Sequence, residues 1–364
     1  MPNDEILFCV AFARFSKIGP IRFFKLRDYF SSVKEAFEAD KTELMRAGLE
    51  ENIAEEFQDA RKNINPEKEW ESLEKENIKV CLFDDALYPP MLKEIYDPPY
   101  LLFYKGALQN LNFPIAAVGT RKMTRYGELI VPKILADLAR SKMTIVSGLA
   151  LGVDSLVHRT TLRNNGVTWA IIGSGLDKEH VYPASNQRLA EEIVENGGAV
   201  ISEYPIGTEG FKSNFPHRNR IIAGISLATV VIEAAETSGA LITARLALEA
   251  NREVFAVPGS ITNPASIGPN NLIKMGAYPA TCSEDVLNKL NLTKAADFVK
   301  NKKILPETRE EAAILEKLSS EPTHIDELHS ATGLPLPLLS STLTMMEMKG
   351  KVRDLGGMNY VLAY

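Results

Sequence analysis

Cysteine is scarce in this chain: Cys9, Cys81 and Cys282 are the three in 364 residues. They lie far apart among apolar neighbours, which excludes a disulfide framework and the closely spaced thiol sets that hold zinc or iron–sulfur clusters. They fit buried thiols in a reducing compartment. No apolar run approaches the ~20 residues that cross a bilayer, so no membrane partner is expected. The opening MPNDEILFCVAFARF has acids where a secretory signal has bases, and a cytoplasmic location is the expectation. A Walker lysine loop is also missing. GSGLDK (173–178) follows an apolar run, but Lys178 stands where the dinucleotide fingerprint needs its third glycine. No cofactor and no metal is expected. A net charge of −6 argues against a polycation that coats nucleic acid everywhere on its surface.

The acid is unevenly placed. Residues 35–76 hold 14 Asp and Glu against 6 Lys and Arg, and residues 305–364 hold 9 against 5. Between Glu209 and Glu233 there is no acidic residue at all, while Lys212, Arg218 and Arg220 are cationic. A gap in the carboxylates of an acidic chain points to an anionic ligand.

At this length two or three domains are expected. Residues 1–64 read as short helices joined by turns at Ile18-Gly19-Pro20 and Ala47-Gly48-Leu49, in the manner of a helix-hairpin-helix or sterile-alpha-motif module. Such a hairpin can hold a phosphate on helix N–H groups. The acidity of its second half favours a packing role instead. Residues 65–292 form the central domain, which opens as a connector to residue 112 with a strand at IKVCLF. There the proline pairs 89–90 and 98–99 predict irregular, extended turns. From 113 to 290 apolar strands alternate with helical patterns, including a helix near 217–224. That alternation predicts a doubly wound, mostly parallel α/β sheet of the Rossmann type. Residues 293–307 read as a linker. Residues 308–364 read as three helices and a hairpin turning on the two residues Gly356-Gly357, a winged helix. Its third helix has no Arg or Lys from Pro337 to Met348, so protein contact suits it better than DNA reading, with Lys351 and Arg353 on the wing left for weak DNA contact.

Ligands bind such sheets at the carboxyl ends of the strands. Here those ends carry Gly119-Thr120-Arg121, Ser147-Gly148, Glu203, Glu233 and Ser238-Gly239. Glycines let backbone approach a ligand, and forked guanidiniums at Arg121, Arg218 and Arg220 suit phosphate, with Phe215 or Phe211 for base stacking. The alternative is that Arg218 and Arg220, ahead of an apolar helix, pair with Glu203 or Glu233 and brace loops. Glu203 and Glu233 are taken as supports of the crevice rather than an acid–base pair. Asp154, Ser155 and His158 suggest a triad, but a structural histidine is the favoured reading.

The blocks GTRKMTRYG (119–127), SGLALGVDSLVH (147–158), GSGLDKEHVYPASN (173–186), SEYPIGTEGFKSNFPHRNRIIAGIS (202–226), VIEAAETSGALITARLA (231–247) and REVFAVPGSI (252–261) resemble, in order and spacing, the DprA/Smf family of bacterial DNA-processing proteins. The resemblance implies a non-enzymatic single-stranded DNA-binding protein of natural transformation. Such a protein protects incoming strands, helps load the RecA recombinase and forms a homodimer. It implies phosphate-gripping roles for Gly119, Thr120, Arg121, Ser147, Gly148, Arg218, Asn219 and Arg220, with Lys212 and Phe215 in the adjoining loop. Two rivals stay open. One is a nucleotide-processing enzyme of the same fold, of the nucleoside monophosphate phosphoribohydrolase kind. The other is a recombinase-contact scaffold without DNA affinity.

Overall fold

The fold was obtained as a computed structural model, which describes residues 3–292, 308–318, 322–349 and 351–362. The expected linker, 293–307, lies outside them. The chain divides into two compact units, Met1–Val286 and Leu287–Tyr364.

The first unit opens with six short helices, α1 (Asp4–Ala13), α2 (Pro20–Tyr29), α3 (Val33–Glu38), α4 (Lys41–Arg46), α5 (Glu51–Ala60) and α6 (Pro66–Lys75). Their starts are written locally. The side chains of Asn3, Ser32, Asp40 and Asn65 each accept a first-turn N–H, and Pro20 and Pro66 sit where a missing N–H costs nothing. Phe12 is the centre of their core, stacked on Phe57 at 5.1 Å and met edge-on by Phe23 and Phe37.

Nine strands follow: β1 (Lys79–Leu82), β2 (Leu101–Gly106), β3 (Ile115–Val118), β4 (Ile145–Ser147), β5 (Thr168–Ile172), β6 (Ala199–Ser202), β7 (Ala228–Val231), β8 (Glu253–Ala256) and β9 (Tyr278–Pro279). Their spatial order is β1-β2-β6-β5-β4-β3-β7-β8-β9. Strands β3 to β9 run parallel, while β1 and β2 add an antiparallel edge beyond β6. The connector is therefore more ordered than its prolines suggest. LLFYKG is a sheet strand, and Pro90 opens a short 3-10 helix, Pro90–Glu94, as a first-turn proline can. Phe23 stacks at 3.7 Å on Tyr100, just ahead of β2, so the N-terminal helices share a core with the sheet.

Helices α7 (Arg125–Arg140), α8 (Val153–Arg163), α9 (Gln187–Glu195), α10 (Asn214–Ile225), α11 (Gly239–Glu249) and α12 (Ile267–Lys274) make the crossovers. Strand β3 pairs with β4 on one side and β7 on the other, so the winding reverses there. The loops that leave β3 and β7 diverge and open a crevice, as expected at such a switch point.

The second unit contains helices Arg309–Lys317, Ile325–Thr332 and Leu336–Met348 and a three-stranded sheet, a winged helix. Its hairpin loop has three residues rather than two. The Leu355 N–H meets the Asn359 carbonyl, and Gly356, Gly357 and Met358 all adopt positive φ. Lys351, expected to be available on the wing, is bonded with Lys349 to Glu311, which is only 2% exposed.

Candidate nucleic-acid interface

The crevice at the switch point encloses about 420 Å³. The β3 end supplies Gly119, Thr120 and Arg121; the α10 start supplies Lys212, Phe215, Arg218 and Asn219. The loop after β7 and the start of α11 supply Thr237, Ser238 and Gly239. Residues more than a hundred positions apart thus face one cavity. Gly148 lines a smaller adjoining recess with Arg218 and Tyr182.

Arg121 is exposed, and its guanidinium lies 4.9 Å from the centroid of the half-buried Phe215 ring. A cation over an aromatic face is held by the ring quadrupole while its N–H edge stays free. Tyr182 packs on Phe215, with ring centroids 5.4 Å apart. Lys212 is also exposed, and among the described residues no carboxylate pairs with it or with Arg121.

The other two arginines are differently placed. Helix α10 begins at Asn214, earlier than expected, so Arg218, Asn219 and Arg220 lie inside it and are buried. Arg218 donates to the Gly148 carbonyl at 2.7 Å, to the Ile171 carbonyl and to Asn219 Oδ1 at 3.0 Å. Burial lowers its pKa to about 10, with Asp154 opposing and Arg121 adding to the shift. It remains a cation at neutral pH and gives the crevice floor a fixed positive charge. Arg220 does not line the crevice. It is bound to Glu203 at 2.6 Å and to Asp97 at 2.9 Å, and it locks α10 to the β6 end and the connector. Here the bracing alternative describes the geometry.

Glu203, expected to support the crevice, instead holds α10 from outside it. Burial pushes its carboxyl up, but Arg220 and His217 outweigh that and leave it lowered. Glu233 is 1% exposed and, among the described residues, pairs with no arginine; it accepts from the Thr124 N–H at 2.9 Å and from the Thr124 hydroxyl. It thereby places a negative charge at the start of α7, where the helix dipole favours one. A Cβ on Gly127 would come within 2.5 Å of its Oε2, so the glycine in GTRKMTRYG serves this contact.

Ser147 is fully buried, donates to the Ala117 carbonyl at 2.7 Å and does not line the crevice. The N–H groups of Thr120 and Gly148 are also engaged, on the Glu233 carbonyl at 2.7 Å and on the Asp154 carboxylate at 3.1 Å. The α11 start, with Ser238 as its cap, also opens on the crevice. No triad forms. His158 is fully buried on Thr168 Oγ1 at 2.7 Å, with its pKa lowered by burial to about 3, and Ser155 donates to the Ala150 carbonyl. Among the described residues no group of three or more His, Cys, Asp or Glu could hold a metal ion, and no helix is long and apolar enough to cross a membrane.

Three contributors were not assigned to the crevice from sequence, Asp154 being named there only in the suggested triad. Asp154 fastens the Gly148 turn beneath Arg218, and its place at the start of α8 was the signal. Tyr182 and Asp97 left none, because each acts across the fold.

Comparison with known proteins follows the same outline. The family described as DNA recombination-mediator protein A matches residues 79–291, and the DprA winged helix domain matches residues 300–358. Protein Smf of Escherichia coli K12 is 38% identical over 326 residues, covering 87% of this chain and 86% of that protein. Protein Smf of a Synechocystis species is 34% identical over 99% of both chains. The crystal structure of DNA processing protein A from Streptococcus pneumoniae superposes with a TM-score of 0.65 at 37% identity, over 76% of this chain and 95% of that one. DNA processing protein A from Helicobacter pylori, known for a unique single-stranded DNA binding mode, gives 0.52 at 28% identity, over 58% and 96%. With the switch-point crevice, the strand-end blocks and the winged helix all in their expected order, the chain belongs to the DprA/Smf family of DNA-processing proteins.

Proposed function

We propose that the crevice grips the sugar–phosphate backbone of single-stranded DNA without reading its sequence. The observation that carries this reading is the pair of the exposed Arg121 and the half-buried Phe215 ring beside Lys212, over a floor made cationic by Arg218. Cations that track phosphates, next to a ring on which any base can stack, are what sequence-tolerant single-strand binding requires. The Helicobacter pylori relative, with its single-stranded DNA binding mode, supports the same assignment.

Binding rather than catalysis fits the side chains. Glu233, which a phosphoribohydrolase reading would need, is occupied at Thr124 and lies outside the crevice lining. In a cell the protein would hold incoming strands for recombination and pass them to the RecA recombinase. A homodimer is part of this proposal: Leu129 of α7 and Ile242 and Leu248 of α11 are exposed apolar side chains on the sheet domain, 68%, 41% and 58% accessible. Light scattering coupled to size exclusion tests the dimer, and a monomeric mass at micromolar protein would remove it.

The deciding experiment is a salt titration with oligothymidylate and with duplex of equal length. A single strand gives a log K against log salt slope near −0.7 per phosphate neutralised, so four contacts give roughly −3. Salt-independent binding, or equal affinity for duplex, would defeat the proposal.

A further inference from the structure

The turn between α1 and α2, a candidate phosphate holder by sequence, takes no part in the crevice. It forms one wall of a second groove of about 660 Å³. Residues 13–16 and 18–20 make that wall, and the loop from Glu203 to Asn214 makes the other, with Tyr204, Thr208 and Phe211 among its lining. Phe15 adds ring surface from the first wall. Phe211 is 57% exposed, a large aromatic side chain left in water.

The charges around this groove are already engaged or repulsive. Arg14 donates to the Ile206 carbonyl at 2.6 Å and pairs with Glu69 at 3.3 Å. Glu203 is held by Arg220 and by His217. Glu209 is exposed at the lining and would repel a phosphate. What the groove offers is ring faces and the hydroxyls of Ser16 and Thr208, which are the contacts of unstacked bases.

Both cavities share the segment 211–217, which leads into the first turn of α10. Phe211, Asn214 and His217 line the groove, while Lys212, Phe215 and Pro216 line the crevice. A strand leaving the crevice over Phe215 reaches the groove after crossing one helix width, about 10 Å.

We propose that this groove is a nucleobase subsite, stacking the bases of the stretch of single-stranded DNA next to the one whose phosphates the crevice holds. The inference rests on the single-strand reading above. It assigns Phe215 and Phe211 to two separate cavities and gives the N-terminal helices a share in the strand's path.

The test titrates oligothymidylates of graded length against wild type, Phe211→Ala and Ser16→Glu, the last placing a like charge on the opposite wall. Both altered side chains are exposed, so folding is retained. In wild type, affinity rises in two stages as the oligonucleotide becomes long enough to enter the groove. Both variants bind short oligonucleotides as wild type does and lose the second stage, about fivefold or more for Phe211→Ala. Photo-crosslinks from 5-iodouracil in the long oligonucleotide fall on Phe211 or Tyr204. If both variants bind long strands as tightly as wild type, or crosslinks fall at Phe215 alone, the groove proposal is overturned and the crevice reading stands. Equal loss at every length overturns it too, because Phe211 would then be shaping the 211–217 segment. Wild type that binds no single strand of any length defeats both.

Discussion

Arg121 and Phe215, 94 positions apart in sequence, meet with guanidinium and ring centroid 4.9 Å apart. Neither element could present that surface alone. The strand end brings the cation, the first turn of α10 brings the ring, and the reversal of winding between β3 and β7 brings the two ends together.

Removing this cation is the most direct prediction. Arg121→Ala is expected to weaken oligothymidylate binding and to flatten the salt slope by about 0.7, the share of one phosphate. Arg121→Lys keeps the charge but loses the planar contact with Phe215, so its slope stays near wild type while its affinity falls between the two. Fluorescence anisotropy across a salt series reads both quantities. An unchanged slope in Arg121→Ala would take Arg121 out of the grip.

Gly148 offers a test of the crevice floor that leaves every charge in place. A Cβ at this position would lie 2.8 Å from the Arg218 guanidinium, which has nowhere to move without losing its carbonyl partners. Gly148→Ala is expected to cost roughly 1–3 kcal/mol of stability from overpacking and to weaken single-strand binding as Arg218 shifts. Denaturant melts and anisotropy on the same sample separate the two effects. Full affinity in a destabilised variant would show that Arg218 only holds the fold.

Arg220 should behave as a structural residue. Arg220→Ala leaves the part-buried Glu203 without its main partner, a loss of up to about 3–5 kcal/mol, the cost of breaking a buried pair, read from urea unfolding. The pH dependence has a definite sign. The folded carboxyl of Glu203 lies below its ordinary value of 4.5, so its contribution is complete above about pH 4.5 and is lost as pH falls through the folded value. Wild type is expected to lose stability in acid more steeply than Glu203→Gln. Parallel curves for the two proteins would remove Glu203 from the acid response.

In the winged helix, Lys351 is tied to the buried carboxylate of Glu311 at 2.6 Å. Lys351→Ala is expected to destabilise this unit by roughly 1–3 kcal/mol and to leave single-strand affinity as it was. Weakened DNA binding in a variant with unchanged melting would give the wing a direct nucleic-acid role.

The order of elements was legible because it depends on local pattern. Apolar runs of four or five residues alternate with helical periodicity, and glycines mark the strand ends, so the sheet, its crevice and the winged helix could be read directly. LLFYKG was the exception, since flanking proline pairs masked a strand that is defined by pairing with β1 and β6. Of the residues the sequence singled out, Gly119, Thr120, Arg121, Lys212 and Phe215 line the crevice. Residue types alone could not separate three arginines that look alike in sequence. Arg121 is exposed, Arg218 is buried beneath the crevice on backbone carbonyls, and Arg220 is neutralised by Asp97 from 123 positions away. Charge and periodicity are properties of a segment, whereas desolvation and pairing depend on which distant segment packs against it. The stretch from Glu209 to Glu233 therefore announced an anionic ligand by itself, and only the packed fold decided which of its cations are free to meet one.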